Sequence, residues 1–127
     1  MKNSFGFILV KPQLGENIGA CARSMKNFGF TKLHIVSPKF IFPNHKTKVT
    51  SVGAFDIIKK AQVFKFTESA INDFDIVISL SARRRDINKR HISIKDLFNI
   101  LKRKKNTKFG FMFGSEASGL SNLDLSY

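Results

Sequence analysis

Residues 5–30 read FGFILVKPQLGENIGACARSMKNFGF, and this stretch decides the fold. Its first six residues are a continuous apolar run that Lys11-Pro12 closes, which predicts a buried β-strand. Apolar and small residues then recur at helical spacing: Ile18, Cys21, Ala22, Met25 and Phe28. Gly29 provides a stop signal after the last of them. The chain therefore opens with a buried strand followed by an amphipathic helix.

The same alternation continues to the end of the chain. Strands are predicted at 33–36, 63–66, 76–80 and 109–113, and the strand at 76–80 is apolar enough to be covered on both faces. The polar, proline-containing stretch 40–48 predicts a loop. Helices are predicted around 54–61, after a Thr67 cap, and after a Ser93 cap with one apolar face made by Ile94, Leu97, Phe98 and Leu101. Alternating strands and helices predict one α/β domain over residues 1–127, a parallel sheet with helices on both faces.

Length and composition exclude several protein classes. A chain of 127 residues with 43% hydrophobic and 24% charged residues suits a single folded domain. Its longest apolar run, residues 5–10, is far shorter than the ~20 residues that cross a bilayer, and no signal peptide is recognisable. The single cysteine, Cys21, excludes an internal disulfide. We therefore expect a soluble cytoplasmic protein without a membrane segment.

The net charge of +13 favours a polyanionic partner, although an AT-rich coding bias explains the scattered lysines equally well. That bias explains the arginines less well, because four of the six lie between residues 83 and 90. The planar guanidinium matches phosphate groups. The basic run 102–105 is typical of a solvated helix end. Nucleic acid is therefore the favoured partner.

Three polar segments follow predicted strands, and ligands bind outside the carboxyl ends of parallel strands. Residues 15–23 form a loop and helix start in which Gly19, Ala20 and Ala22 allow close approach by a ligand or another subunit; a tightly packed helix with a basic face is the simpler interpretation. In the segment 80–83, Ser81 and Ala82 suit backbone hydrogen bonds with a ligand, although a plain turn explains them too.

The third segment, 113–120, is bracketed by glycines and could line a nucleotide-like ligand, but it matches neither phosphate-loop nor dinucleotide fingerprints. No nucleophile–base arrangement has a recognisable spacing. The three histidines, His34, His45 and His91, are dispersed and fit structural or surface roles, and the sequence predicts no metal site.

Taken in order, these segments resemble the SpoU/TrmH-type RNA ribose 2′-O-methyltransferases of the SPOUT superfamily. Residues 17–23, NIGACAR, look like the family's first motif, Asn-x-Gly-x-x-x-Arg, and residues 113–122, FGSEASGLSN, look like the second. Ser81-Ala82-Arg83 is similar to the Thr-Ser-Ala-Arg segment of the branch that methylates the ribose of cytidine or uridine in the tRNA anticodon loop. Leu80 stands where that segment has Thr. The resemblance covers essentially the whole chain.

The resemblance implies a fold, a cofactor and a set of roles. It implies an α/β knot, S-adenosylmethionine as the methyl donor, RNA (tRNA, from the branch) as the substrate, and a homodimer with sites at the subunit interface. By the matching positions, Arg23 acts on the ribose 2′-hydroxyl and Asn17 positions it. Cofactor contacts fall to Leu80, Ser81, Ala82 and Gly114, with Glu116 and Gly119 shaping the loop. RNA contacts fall to Arg83, Arg84, Arg85 and Lys26.

The family's third motif, a Ser-Leu-Asn-like segment that opens the last helix, is absent from this sequence. Residues 121–124, SNLD, carry a cap signal, but the one turn that follows is too short to be stable alone. We therefore expect a chain that lacks the closing strand, motif and helix. Three hypotheses about the function stay open: a methyltransferase that needs the missing segment, a non-catalytic RNA-binding or dimerising remnant, and a small ribosome-associated protein without a cofactor.

Overall fold

The computed structural model describes residues 2–80 and 93–114. Strands and helices alternate in these residues as the sequence predicts. In chain order they are β1 (Ser4–Val10), α1 (Gly15–Asn27), β2 (Lys32–Val36), α2 (His45–Thr50), α3 (Phe55–Lys60), β3 (Gln62–Phe64), α4 (Thr67–Ile71), β4 (Ile76–Leu80), α5 (Ile94–Arg103) and β5 (Lys108–Phe113).

Within the described residues the five strands form one sheet in the order β3-β2-β1-β5-β4, and every pair is parallel. The chain runs outward from β1 through β2 to β3. It then crosses to the other side of β1 for β4 and returns to β5. The predicted parallel sheet is confirmed, and the switch in strand order lies between β1 and β5.

Helices cover both faces of this sheet, as predicted. On one face, here called the α1 face, α1 and α3 pack over β2 in a cluster whose buried members are Ile18, Ala22, Met25, Leu33, Ile35, Ala54, Ile57 and Ile58. On the other, the α4 face, Ala70 packs with Ile8, Val10, Val36 and Met112. Side chains alternate between the faces along each strand, which is why the residues of β1 divide between the two clusters.

Glycines let an aromatic ring lie flat on the α4 face. Gly6 of β1 pairs with Gly110 of β5, and the Phe74 ring lies over both. A Cβ at Gly6 would come within 2.6 Å of Phe74 Cε1, and a Cβ at Gly110 within 2.8 Å of Phe74 Cγ. Any larger residue at either position would displace the ring that closes this part of the core.

Helix α2 is the element that the sequence did not predict, because residues 40–48 were assigned to a loop. Asn44 begins the helix: its Oδ1 accepts hydrogen bonds from the Thr47 backbone N–H at 2.9 Å and from Thr47 Oγ1 at 2.7 Å. Thr47 is the helix's only buried residue. Six residues with one buried position leave no hydrophobic period for a sequence pattern to reveal.

Three smaller expectations were wrong. Phe28 is 76% exposed because it caps α1 instead of belonging to its apolar stripe. Thr67 is the first residue of α4, and Phe66 occupies the cap position without a side-chain hydrogen bond. In the described residues β4 pairs with β5 alone, so it is an edge strand with only Ile78 buried.

Helix α5 has its predicted cap and one apolar side, but that side is not buried. Ser93 caps this helix as predicted, with Asp96 completing a capping box, and the basic run 102–105 that ends it is exposed. None of its residues is buried, however, because the helix contributes no side chain to either buried cluster. Ile94 and Phe98 are 74% and 58% exposed.

Candidate functional site

The carboxyl ends of β1, β5 and β4 lie side by side. Leu9 is the register partner of Phe113, and Phe113 is the partner of Leu80, so these three residues form one row across the sheet. The three polar segments of the sequence start from this row. The prediction that they begin at one edge of the sheet is therefore confirmed for the described parts of each segment.

A cavity of about 350 Å³ opens at this edge between α1 and the ends of β1 and β5. Its walls are mostly apolar or small: Leu9, Val10, Pro12, Asn17, Ile18, Ala20, Cys21, Ser24, Phe113 and Gly114. This position is the switch in strand order, where open α/β sheets bind their ligands. A cavity of ~300–1,000 Å³ with apolar walls and few polar groups is typical of small-molecule sites.

Helix α1 presents the two residues assigned to catalysis along its exposed side. Asn17 lines the cavity. Arg23 is exposed and lies outside the lining, about 60° around the helix from Ala20 and about 9 Å along the axis from Asn17 at 1.5 Å per residue. The predicted orientation of Arg23 away from the buried stripe is confirmed, and it lies beside the rim of the cavity.

Lys26, assigned to RNA binding, has a carboxylate partner. Its Nζ lies 2.8 Å from Asp56 Oδ2 of α3, and both side chains are about half exposed. The hydrogen bond from Lys26 holds the pKa of Asp56 below its usual range, with the charge of Lys26 adding to the effect. Lys26 must therefore share its charge between Asp56 and any phosphate.

Cys21 is the lining residue whose place in the site the sequence did not reveal. The sequence shows it as a member of the helical stripe and of the motif 17–23 without a role of its own, whereas the structure places it in the cavity wall. Burial raises the pKa of its thiol to about 11. The thiol is therefore protonated at neutral pH and contributes an uncharged wall, because a thiolate is the nucleophilic form.

The small residues of α1 divide between two tasks. Gly15 and Gly19 face α2, where a Cβ at Gly19 would come within 2.9 Å of the Thr50 carbonyl carbon. Ala22 is fully buried in the core. Ala20 is exposed and lines the cavity. The close approach expected at Gly19 thus comes from α2 of the same chain, whereas the approach at Ala20 is open to a ligand.

Several assigned residues lie outside the described residues: Ser81, Ala82, Arg83, Arg84, Arg85, Glu116 and Gly119. Their roles stay predictions. Of the assigned cofactor residues, Leu80 and Gly114 are described, at the ends of adjacent strands. In ranges 2–80 and 93–114, no group of three or more His, Cys, Asp or Glu side chains is arranged to hold a metal ion. None of the helices in these ranges has an apolar stretch long enough to cross a bilayer.

The sequence model of the SpoU rRNA methylase family matches residues 4–127. The chain belongs to this family. It is 38% identical over 122 residues to the tRNA (cytidine-2′-O-)-methyltransferase TrmJ of Methanocaldococcus jannaschii, covering 93% of this chain and 52% of that protein. It is 29% identical over 130 residues to the tRNA (cytidine/uridine-2′-O-)-methyltransferase TrmJ of Citrobacter koseri, covering 98% and 51%. The chain thus spans about half the length of these curated relatives.

A solved structure gives the same picture of the fold. The crystal structure of TrmJ from Z. mobilis superposes with a TM-score of 0.86 at 33% identity, covering 95% of this chain and 54% of that one. The expected SPOUT-type parallel sheet is therefore confirmed.

Proposed function

We propose that this chain is the catalytic domain of an S-adenosylmethionine-dependent tRNA ribose 2′-O-methyltransferase, acting in the cytoplasm as a homodimer. One observation carries the proposal. The cavity at the switch between β1 and β5 is bordered by the Asn17–Arg23 segment of α1 on one side and by Gly114 on the other. Two motifs separated by about 90 residues of sequence thus meet at a single concave site.

The described residues fit the methyl donor. The adenosine part of S-adenosylmethionine needs apolar walls to pack against. Its polar edges need a few backbone groups as hydrogen-bond partners. Leu9, Ile18 and Phe113 offer apolar walls, and Gly114 leaves the backbone open because it carries no Cβ. Leu80 and Gly114, at neighbouring strand ends, would hold it together with Ser81 and Ala82. When bound, it supplies a methyl group attached to a positively charged sulfur.

The residues of the chain then have to orient the ribose. The oxygen–carbon bond forms as the carbon–sulfur bond breaks, so the 2′-oxygen must lie in line with the methyl group and the departing sulfur, and its proton leaves to solvent or a base. Positioning of this kind supplies much of an enzyme's acceleration. The guanidinium of Arg23 stays protonated at neutral pH and donates hydrogen bonds, so its role is orientation and electrostatic stabilisation. Asn17, in the cavity wall, positions the same hydroxyl.

RNA contacts support the same assignment. Arg83, Arg84 and Arg85 come three to five residues after Leu80 in sequence, and Leu80 ends β4 at the edge that carries the cavity. Phosphate contacts from such arginines set the register of the RNA without reading its bases. Lys26, one turn beyond Ala22, adds a further cation to α1, the helix that carries Arg23.

Titration calorimetry with S-adenosylmethionine tests the proposal directly. Heat of binding that saturates in the micromolar to millimolar range supports it, and no heat at millimolar ligand would reject catalysis by this chain alone. Transfer of labelled methyl to tRNA is the second readout, measured on this chain and on a version completed with the third motif of a relative. Arg23→Ala should reduce transfer by at least 100-fold while S-adenosylmethionine binding is retained. Unchanged transfer would remove Arg23 from the mechanism.

A further inference from the structure

The segment of the chain that includes α1 and α2 is basic and has no acidic residue after Glu16. Between Glu16 and Asp56 the sequence has no Asp or Glu, while it has six cations: Arg23, Lys26, Lys32, Lys39, Lys46 and Lys48. Two of them, Lys46 and Lys48, belong to α2, the helix that the sequence did not predict. What these two lysines can contact depends on where α2 lies.

Helix α2 is fixed in place by backbone-level contacts with α1. Asn44 and Thr47 lie against Gly15, and Thr50 lies against Gly19, so close that a Cβ on either glycine would overlap them. Thr50 Oγ1 also donates to the Lys46 carbonyl at 2.6 Å, and the Asn44 cap closes the other end. An element docked this tightly presents its charges in a defined position.

That position is the edge of the sheet that carries the cavity. Gly15 begins α1 directly after β1, so α2 lies at the carboxyl edge of the strands. Gly19, which contacts Thr50, is one helical turn from Arg23, about 6 Å along the axis. The end of α2 is therefore next to the turn that carries Arg23.

The two lysines of α2 are available for a partner. Each side chain is exposed, and they flank the buried Thr47 on opposite sides of the helix. In the part of the chain that the structure describes, neither is within 4 Å of a carboxylate, in contrast to Lys26, whose partner is Asp56. Unpaired cations beside a site are the feature that attracts phosphate groups, since their binding releases condensed counterions.

From this placement we infer that α2 is an RNA-contacting element, whose Lys46 and Lys48 bind backbone phosphates of the RNA segment lying across Arg23. The inference rests on the proposed function, because it takes RNA as the substrate. It adds a contact surface on the α1 side of the cavity, in addition to the arginines that the proposed function assigns to RNA.

The test compares two double substitutions with the same charge change. Lys46→Gln with Lys48→Gln removes the α2 cations, and Lys104→Gln with Lys105→Gln removes two exposed cations just before β5, at the amino edge of the sheet. We measure binding of a tRNA transcript to the chain between 50 and 300 mM salt. The slope of log K against log salt should fall by about 1.4–1.8 for the α2 pair, and affinity at 0.15 M by about 10- to 30-fold. The control pair should leave the slope unchanged and the affinity within twofold of the parent.

Each outcome decides the inference. Equal effects of the two pairs, or no effect of either, would overturn it, since the charges would then act only through net charge or not at all. An unchanged RNA affinity with an altered sedimentation coefficient would assign α2 to a protein interface and overturn it too. A parent chain that binds tRNA without methylating it, and loses that binding with the α2 pair, would reject the proposed activity and keep the inference. Thermal unfolding of both variants should match the parent, because all four side chains are exposed.

Discussion

The Nε2 of His34 lies 2.9 Å from Asp73 Oδ2, and this contact ties β2 to the turn after α4. His34 is 1% exposed between the rings of Phe64 and Phe74, whereas the Asp73 side chain is 46% exposed. Its Nδ1 is buried, without a hydrogen-bond partner in the described residues. The single contact with Asp73 is therefore the polar anchor of a buried ring.

Removing the aspartate should cost more than removing both partners. Asp73→Ala leaves Nε2 buried without an acceptor, and an unsatisfied buried group costs about 1–3 kcal/mol of unfolding free energy. Adding His34→Leu removes the orphaned ring nitrogens, so the double variant should recover about half of that loss. Urea unfolding measures the stability of the single and the double variant. Glu68→Ala, at an exposed position of α4, is the control. If the double variant is less stable than Asp73→Ala by the full cost of a core cavity, the ring is held by packing and the prediction fails.

Gly110 should be intolerant of even one methyl group. Gly110→Ala brings a Cβ within 2.8 Å of Phe74 Cγ, and the ring cannot retreat without opening the core beneath α4. Overpacking of this kind costs about 1–3 kcal/mol of unfolding free energy. Combining it with Phe74→Leu, which removes the opposing ring, should restore part of the loss. A Gly110→Ala variant as stable as the parent in urea would contradict the packing described here.

The sequence could predict the parallel sheet and the shared edge because both depend on local patterns. Apolar runs and helical stripes alternate, and polar motifs follow strand after strand. It could not predict α2, whose single buried residue, Thr47, leaves no period. Nor could it predict that Asp56 pairs with Lys26, since the two are 30 residues apart. The edge position of β4 was also missed, because strand order is set by long-range packing and not by the composition of one strand. The roles of residues 81–85, Glu116 and Gly119 stay predictions.

Because of the Cys21 thiol, the fold should become less stable in alkaline solution. Its thiol has a pKa of about 11 in the folded chain against an ordinary value of 9.0, because burial disfavours the thiolate. Below pH 9 both states keep the proton and the stability is fully present. As the pH rises from 9 towards 11 the unfolded chain loses the proton first, so unfolding becomes easier.

The rise of the Cys21 pKa from 9.0 to about 11 corresponds to a loss of about 2 kcal/mol of unfolding free energy by pH 10.5. Urea unfolding of the parent and of Cys21→Ala, at pH 8 and pH 10.5, isolates it because the lysines titrate in both proteins. The stability difference between the two should shift by that amount in favour of the alanine variant at the higher pH. A difference that stays constant would mean that the thiol is open to water.

We expect the Lys26–Asp56 pair to restrain RNA binding more than it stabilises the fold. Both side chains are half exposed, and an exposed ion pair contributes little to stability, so Asp56→Asn should leave urea unfolding at pH 7 almost unchanged. The lowered pKa of Asp56 means that the contribution of the pair is present above the carboxyl's ordinary pKa and is lost as the pH falls through the folded-state value. Acid unfolding should therefore differ only slightly between parent and variant.

The loss of this salt bridge should strengthen RNA binding, although it leaves the stability of the fold almost unchanged. Asp56→Asn releases Lys26 for a phosphate contact, so tRNA binding at 0.15 M salt should tighten by about 3- to 5-fold and the salt slope should steepen by about 0.7–0.9. Glu68→Gln on α4, across the sheet from α1, makes the same change in net charge and should leave the slope unchanged. Lys26→Gln should remove the gain when it is combined with Asp56→Asn. If the double variant binds as tightly as Asp56→Asn alone, Lys26 makes no RNA contact, and the gain comes from net charge near α3.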